Sequence, residues 1–388
     1  MTEMMQQKWG GRGVVLVGLL ALGACSSVSY REDVAQHVQA VRTAELRTTL
    51  EDLEAIGPRP LYDTEATHRT LDYLTGRLED LGLDVEIKTY QRELAGSFIA
   101  RVRPAGDSAA EFTDLPVSRL HASSGPAGMA ALAQELREEG YEVRGFVLAA
   151  GGSTTVTIQN LLATKRGGDP TAGVVELAAH YDTVADCPGA DDNSTGVSAL
   201  LEIARVLRET NLETDVRLCF FGAEELGLWG SELHAAEYLG EGTRVEALIN
   251  LDSIGFTAEL ASSANFPDGM PWYLPVPDEG DFILVVGSFW EGWLGNLVED
   301  AADTYDTGLE YYSANRIGAW FDDAHRSDHA HYWEAGVPAV FLTDSGDFRS
   351  PHYHKSTDTL ETLDLEFVTA VTRATLAATM HLAGVAEE

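Results

Sequence analysis

Positive charge is scarce in this chain. Lys and Arg together number 26 against 62 Asp and Glu, a formal net charge of −36 at pH 7. A surface this acidic repels nucleic acid and anionic lipid headgroups, so neither is an expected partner. Cysteine is nearly absent, 3 in 388 residues, which excludes a scaffold built on disulfides. No apolar run reaches the roughly 20 residues that cross a bilayer. Neither an internal repeat nor a low-complexity tract occurs, so repeat arrays and tail-like segments are excluded as well. What is present is ordinary apolar content, 45%, enough for a large core. It suits one big domain with insertions, or two intimate ones.

The first residues read as an address. Lys8 and Arg12 precede an apolar run over 14–24, and small residues lead into Cys25. The run is too short to span a membrane but fits the core of a signal peptide. Leu22-Gly23-Ala24-Cys25 resembles the lipobox of bacterial lipoproteins, in which the Cys is lipidated and becomes the new N-terminus. The expected organisation is a lipoprotein signal peptide at 1–24, a helical segment at 25–60, and the main domain at 61–388. The resemblance implies an exported protein, lipid-anchored to the cell envelope on its periplasmic or extracellular face, in the outer or the cell membrane. Lipid chains bind through buried methylenes, so such a protein sits on a membrane without crossing it. Export permits a disulfide between Cys187 and Cys219, and the sequence leaves that pairing open.

Periodicity predicts helices over 31–55 and 65–82, the second with Leu71, Leu74, Leu78 and Leu81 on one stripe. A strand is expected at 85–90. Residues 95–150, rich in Ala, Gly and Ser, form the least regular stretch and the best candidate for an insertion, with a helix near 128–139. β-rich runs follow at 154–164, Val174–His180, 216–223 and 245–252, and further strands at Phe282–Gly287 and Ala339–Thr343. Helical patterns separate several of them; Val197, Leu200, Leu201, Ala204 and Leu207 give one apolar face. A helix is expected at 225–239, loop at 256–280 and a closing helix at 364–384. Strands alternating with helices predict an α/β fold with a mixed, mostly parallel central sheet flanked by helices.

Each acidic or His cluster falls just after one of these strands. His180 and Asp182 follow 174–179, Glu224 and Glu225 follow 216–223, Asp252 ends 245–251, and His354 lies beyond 339–343. Ligands of open α/β sheets bind outside the carboxyl ends of the strands, so these groups can converge. Imidazole and carboxylate are common zinc ligands. His180-Tyr181-Asp182 places the carboxylate on the face of the imidazole, where it could orient the ring. Asp191-Asp192 has more carboxylate than a helix cap needs, which makes one of the pair a candidate bridge between metals. Glu224 and Glu225 repel one another unless a cation or a proton separates them. Metal chemistry has a use for both: one coordinates, and the other takes a proton from the water.

Together the pieces resemble the M28 family of zinc aminopeptidases. The matching strings are HYDT at 180–183, GADDNSTG at 189–196, FFGAEELGLWGS at 220–231, NLDSIG at 250–255, SDHAHYWEAGVPAVFLTD at 327–344 and HYHKSTDTLETLD at 352–364. The likeness covers about 65–83 and 172–384 and is weakest through 95–150 and 256–320. It implies the zinc-dependent exopeptidase fold and an M28-like peptidase domain at 61–388. It also implies two Zn2+, bridged by Asp192. His180 and Asp252 would complete one site, Glu225 and His354 the other. Glu224 becomes the general base on zinc-bound water, and Asp182 the carboxylate that orients His180. A cis peptide is implied at Asp192–Asn193. Asp328 and His329 are expected at the rim of the site, and Lys355 adds a positive charge where the family often has Thr.

The implied activity is removal of N-terminal residues from peptides that carry a free N-terminus, with no obligate protein partner evident. A glutaminyl cyclase has the same fold but uses one zinc and only part of this ligand set. A carboxypeptidase would need a basic pocket, for which Arg316, Arg326 and Arg349 are candidates. A non-catalytic ectodomain on the scaffold would have lost ligands, and this chain has lost none.

Overall fold

The structure is a computed structural model that describes residues 28–61, 64–107, 109–116, 133–240, 242–259, 277 and 279–385. The expected signal peptide and Cys25 lie outside the described residues. Eleven strands and eight α-helices are named below. The helices are α1 Glu32–Gln39, α2 Thr43–Ile56, α3 Thr64–Asp80, α4 Gly196–Leu207, α5 Trp229–Gly240, α6 Gly292–Thr304, α7 Ala330–Glu334 and α8 Leu365–Ala383. The strands are β1 Asp84–Pro104, β2 Thr113–Pro116, β3 Tyr141–Lys165, β4 Val174–His180, β5 Asp215–Phe221, β6 Val245–Leu251, β7 Ala258–Glu259, β8 Glu279–Gly280, β9 Phe282–Gly287, β10 Glu310–Ala314 and β11 Ala339–Thr343.

Nine strands form one mixed sheet in the order β10-β9-β11-β6-β4-β5-β3-β1-β2. Its centre, β11-β6-β4-β5, is parallel throughout. Antiparallel pairings of β9 with β11 and of β3 with β5 flank that centre. These central strands are buried on both faces, which is why they read as unbroken apolar runs. From β4 the chain passes to β5 on one side and then to β6 on the other. The strand order therefore reverses beside β4, and a crevice opens at the carboxyl ends there. One face of the sheet is covered by α4 and α8, whose apolar residues are buried with Val175, Leu177 and Ala179. All five residues of the expected α4 stripe are in that core.

Three stretches differ from expectation. Residues 95–150, expected to be irregular, are largely strand where described: β1 and β3 run on as a long antiparallel pair beyond the expected strands at 85–90 and 154–164. A register shift between Ala95 and Ser97 marks the small-residue stretch that hid the alternation. Of the helix expected near 128–139, residues 133–138 are helical. The helix expected over 31–55 is two helices, because the break at Arg42 is held by its backbone N–H donating to the Glu202 carboxylate at 2.6 Å. The helix expected at 225 starts at Trp229, since Gly227 (φ 115°) and Leu228 (φ 62°) are left-handed. β10 and α6 lie in the region of weak sequence pattern. Most of the loop expected at 256–280 is outside the described residues.

Cys187 and Cys219 are both free and buried, in separate surroundings. Cys187 lies against Asp358, whereas Cys219 lies 4.0 Å from His234 Nε2. The second group is a buried network on the other sheet face, where Glu176 of β4 accepts from Tyr332 (2.7 Å), Arg217 (2.9 Å) and His234 (3.2 Å). Burial alone would raise the Glu176 pKa, but His234, Arg217 and Tyr332 overcome it and bring it down to about 2. The group thus ties α5 and α7 to the sheet as an ion pair. Glu176→Ala is expected to destabilise the protein by about 3–5 kcal/mol at pH 7, the cost of leaving buried cations unpaired. Because the folded pKa is depressed, that stabilisation is complete above the ordinary value of 4.5 and fades as pH falls toward about 2. Urea unfolding of both proteins at pH 7 and pH 3 measures this; an equal difference at both pH values would contradict it.

Candidate active site

The side chains expected to converge do so at the carboxyl ends of the parallel strands. His180 ends β4, and its Nε2 lies 3.1 Å from Asp192 Oδ1, 3.5 Å from Asp252 Oδ1 and 3.9 Å from Glu224 Oε2. On the other side of Asp192, His354 Nε2 lies 3.2 Å from Asp192 Oδ2 and 3.1 Å from Glu225 Oε2. The two oxygens of one carboxylate thus face two different imidazoles. His180, Glu224 and Asp252 form one trio of donor atoms, and Asp192, Glu225 and His354 a second, each within 4.8 Å.

Local structure explains the aim of each group. The loop carrying Asp192 holds a cis Asp192–Asn193 peptide, as the resemblance implied. Asp358 accepts from the backbone N–H of Asp191 (2.9 Å) and Asp192 (3.2 Å), while Asn193 donates to the Leu251 carbonyl at the end of β6. Asp252 is held by Ser327, which donates to Oδ2 at 2.6 Å and accepts from Asn250. Ala223, Ser253 and His354, all beside or within the site, have positive φ without being glycine. Such backbone strain persists only where the surroundings over-determine it.

Asp182 stands beside His180 as expected, its carbonyl 3.1 Å and its carboxylate 3.7 Å from Nδ1. The carboxylate also accepts from the backbone N–H of Glu224 (3.2 Å) and Glu225 (3.4 Å), so it shapes the turn bearing both glutamates. Asp328 and His329, expected at the rim, are fully buried beneath the site. His329 stacks on Phe341 with ring centroids 4.5 Å apart. His352 turns to Thr357, and Lys355 donates to the Pro351 carbonyl. Of the candidate basic groups, Arg349 donates to the carbonyls of Phe256 and Phe282, and Arg326, at the lining of a cavity beside Asp252, is paired with Asp347 and Asp323.

The electrostatics are those of a site built around positive charge. Burial opposes charging of His354, yet Asp192 and Glu225 push its pKa up to about 10. His180 is raised well above its ordinary value too, Glu224 and Asp252 outweighing burial. Burial and the neighbouring Asp192 raise Glu225 to about 7, and burial, with Asp252 and Glu225, raises Glu224 well above its ordinary value against the pull of His180. His180 Nε2 is buried and makes no hydrogen bond of good geometry, although Asp192 Oδ1 is 3.1 Å away. An orphaned ring nitrogen facing carboxylate oxygens fits a cation held between them. The donor set of imidazoles and carboxylates therefore suits zinc.

Two contributors escaped sequence reasoning. Asp358 stood within a matching string without an assigned part. Arg59, fully buried, reaches both ligand-bearing segments through main-chain acceptors, for which no local pattern exists. A cavity of about 120 Å³ adjoins the site, with Asp252 and Tyr353 among its lining and Leu284, Val286, Phe321 and Phe341 as its apolar walls.

Residues 160–379 match the model of peptidase family M28. An aminopeptidase of Bacillus subtilis is 32% identical over 221 residues, covering 55% of this chain and 42% of that protein. The chain spans less than two thirds of the length of curated relatives it matches, 64% of one and 42% of the Bacillus subtilis aminopeptidase. Among solved structures, a zinc aminopeptidase from Bacillus subtilis superimposes with a TM-score of 0.62 at 21% identity, covering 88% of this chain and 95% of that one. A glutaminyl cyclase from Porphyromonas gingivalis superimposes with a TM-score of 0.53 at 19% identity, covering 88% and 99%. Identities this low speak to the fold, which by itself does not choose between those chemistries. The sequence match over more than half of the chain decides the family: the chain belongs to peptidase family M28.

Proposed function

We propose that this protein is a zinc-dependent aminopeptidase with two metal sites. The observation that carries the reading is Asp192, whose Oδ1 faces His180 and whose Oδ2 faces His354. Asp192 would bridge two zinc ions, held further by His180 and Asp252 on one side and by Glu225 and His354 on the other. Zinc at these positions supplies Lewis acidity, polarising the scissile carbonyl and lowering the pKa of water. Glu224 takes the proton from the attacking water and returns it to the leaving amine. Its elevated pKa suits both steps, since a carboxylate of ordinary pKa is a weak base at neutral pH. Asp182 fixes the turn that carries Glu224 and Glu225 through their backbone N–H groups. The apolar cavity beside Asp252 takes the side chain of the N-terminal residue.

A cyclase needs only one metal, and the second trio favours a peptidase. The carboxypeptidase reading loses support because Arg326 and Arg349 are already engaged. The apolar run and lipobox at 14–25 support export and anchoring through a lipid on Cys25. No helix among the described residues is long and apolar enough to cross a membrane.

The test is to incubate the zinc-loaded protein with free and N-acetylated peptides, some beginning with Gln, and to follow their masses. Loss of single residues from free peptides only is the expected result. The apolar cavity predicts Leu or Phe termini to be cleaved at least about 10-fold more efficiently than Gly, the discrimination that extra buried methylenes provide. Loss of ammonia from the Gln peptides would mean a cyclase, and C-terminal shortening a carboxypeptidase.

A further inference from the structure

Arg59 lies in the segment between α2 and α3, far in sequence from the residues assigned above. The residue is 1% exposed. It donates to the carbonyls of Tyr181 (2.9 Å), Leu53 (3.3 Å), Gly57 (3.0 Å), Pro188 (3.0 Å) and Gly189 (3.3 Å), and to Ser194 Oγ (2.8 Å). Its backbone N–H donates to Thr183 Oγ1 at 2.9 Å, and its carbonyl accepts from the Thr183 N–H at 3.3 Å. Tyr181 and Thr183 follow His180 directly. Gly189 and Ser194 bracket Asp192. One planar side chain thus fastens both segments whose ligands meet at 3.1 Å, and ties them to the C-terminal turn of α2. Its fork of fixed N–H vectors suits such a clamp, whereas a lysine ammonium lacks both the reach and the number of donors.

We propose that Arg59 is a positioning residue that sets His180 and Asp192 at their mutual distance, so that the segment ahead of α3 is part of the metal site. The inference rests on the reading of His180 and Asp192 as zinc ligands. It also fixes a sign. None of the side-chain acceptors of Arg59 is a carboxylate, so its charge stands unpaired near an acidic centre and opposes a bound cation. If Arg59 acted by charge alone, its removal would tighten zinc binding. If it positions the ligands, removal must loosen it.

The experiment measures the zinc dissociation constant by chelator competition for the wild-type chain, Arg59→Met, Arg59→Lys and Ser194→Ala. Thermal unfolding and circular dichroism of each metal-free protein run alongside, with visible absorption of the cobalt-loaded forms. Arg59→Met is expected to bind zinc about 10–100-fold more weakly, the usual loss when a residue that orients ligands is removed. Arg59→Lys should recover little of that affinity. The cobalt bands, which report ligand geometry, should shift in both. Zinc affinity in a folded Arg59→Met that equals or exceeds the wild type overturns the proposal. Should Arg59→Met fail to fold, Ser194→Ala decides: weaker zinc binding with unchanged metal-free unfolding supports the clamp, and wild-type affinity overturns it. A wild-type chain that binds no zinc removes the metal reading, and this inference with it.

Discussion

Glu224→Ala is expected to lower kcat by about 10²–10⁴-fold while zinc content and KM stay near wild type. Two adjacent glutamates with different surroundings make this a sharp expectation. Glu225 is anchored at both oxygens: Oε2 lies 3.1 Å from His354 Nε2, and Oε1 accepts from the Val184 N–H at 3.1 Å. Glu224 stands instead at 3.9 Å from His180 Nε2, farther than either Asp192 or Asp252, and 9% of its surface is open. A group at that remove can meet a water without taking a metal. Burial first, then repulsion by Asp252 and Glu225, raise its pKa, while His180 works against them. Glu225→Ala should differ in kind, losing metal. Steady-state kinetics with metal analysis on both variants separate the roles; near-normal turnover in Glu224→Ala would end its assignment as base.

Which residues converge was legible in the sequence because residue type and position coincide. Burial on both faces makes the central strands unbroken apolar runs, so their ends are visible and the polar residues after them stand out. How those residues are held was not legible. Asp182 was expected to serve His180, since a spacing of two places both on one face, but the turn after Ala223 also brings two backbone N–H groups to its carboxylate. Sequence spacing fixes the face of a strand, not the conformation of a loop that arrives from 40 residues away. Arg59 shows the same limit, as its partners are carbonyls and one hydroxyl spread from Leu53 to Ser194. Any residue could have offered those carbonyls. The β1–β3 pair was hidden for another reason: Ala, Gly and Ser near its register shift break the alternation that would reveal a strand.

Asp192→Ala should abolish zinc binding at both sites together, where loss of any other ligand weakens mainly one. Its two oxygens face different imidazoles, Oδ1 at 3.1 Å from His180 and Oδ2 at 3.2 Å from His354, a place between the two that neither Asp252 nor Glu225 shares. The same two imidazoles hold its pKa far below the usual carboxylate range in spite of burial. The loop around it is fastened independently, through Asp358 to the backbone and through Asn193 to β6, so the fold should survive the truncation. Zinc that binds only the native state stabilises by about 4 kcal/mol at free metal 1,000-fold above Kd. That gain should appear in wild-type thermal unfolding and vanish in Asp192→Ala, with peptidase activity at background. His180→Ala and His354→Ala should each retain part of it, because each leaves Asp192 and the ligands of the other site in place. If instead Asp192→Ala kept the zinc-dependent rise in Tm, the carboxylate would not be the bridge, and the case for two metals would fall with it.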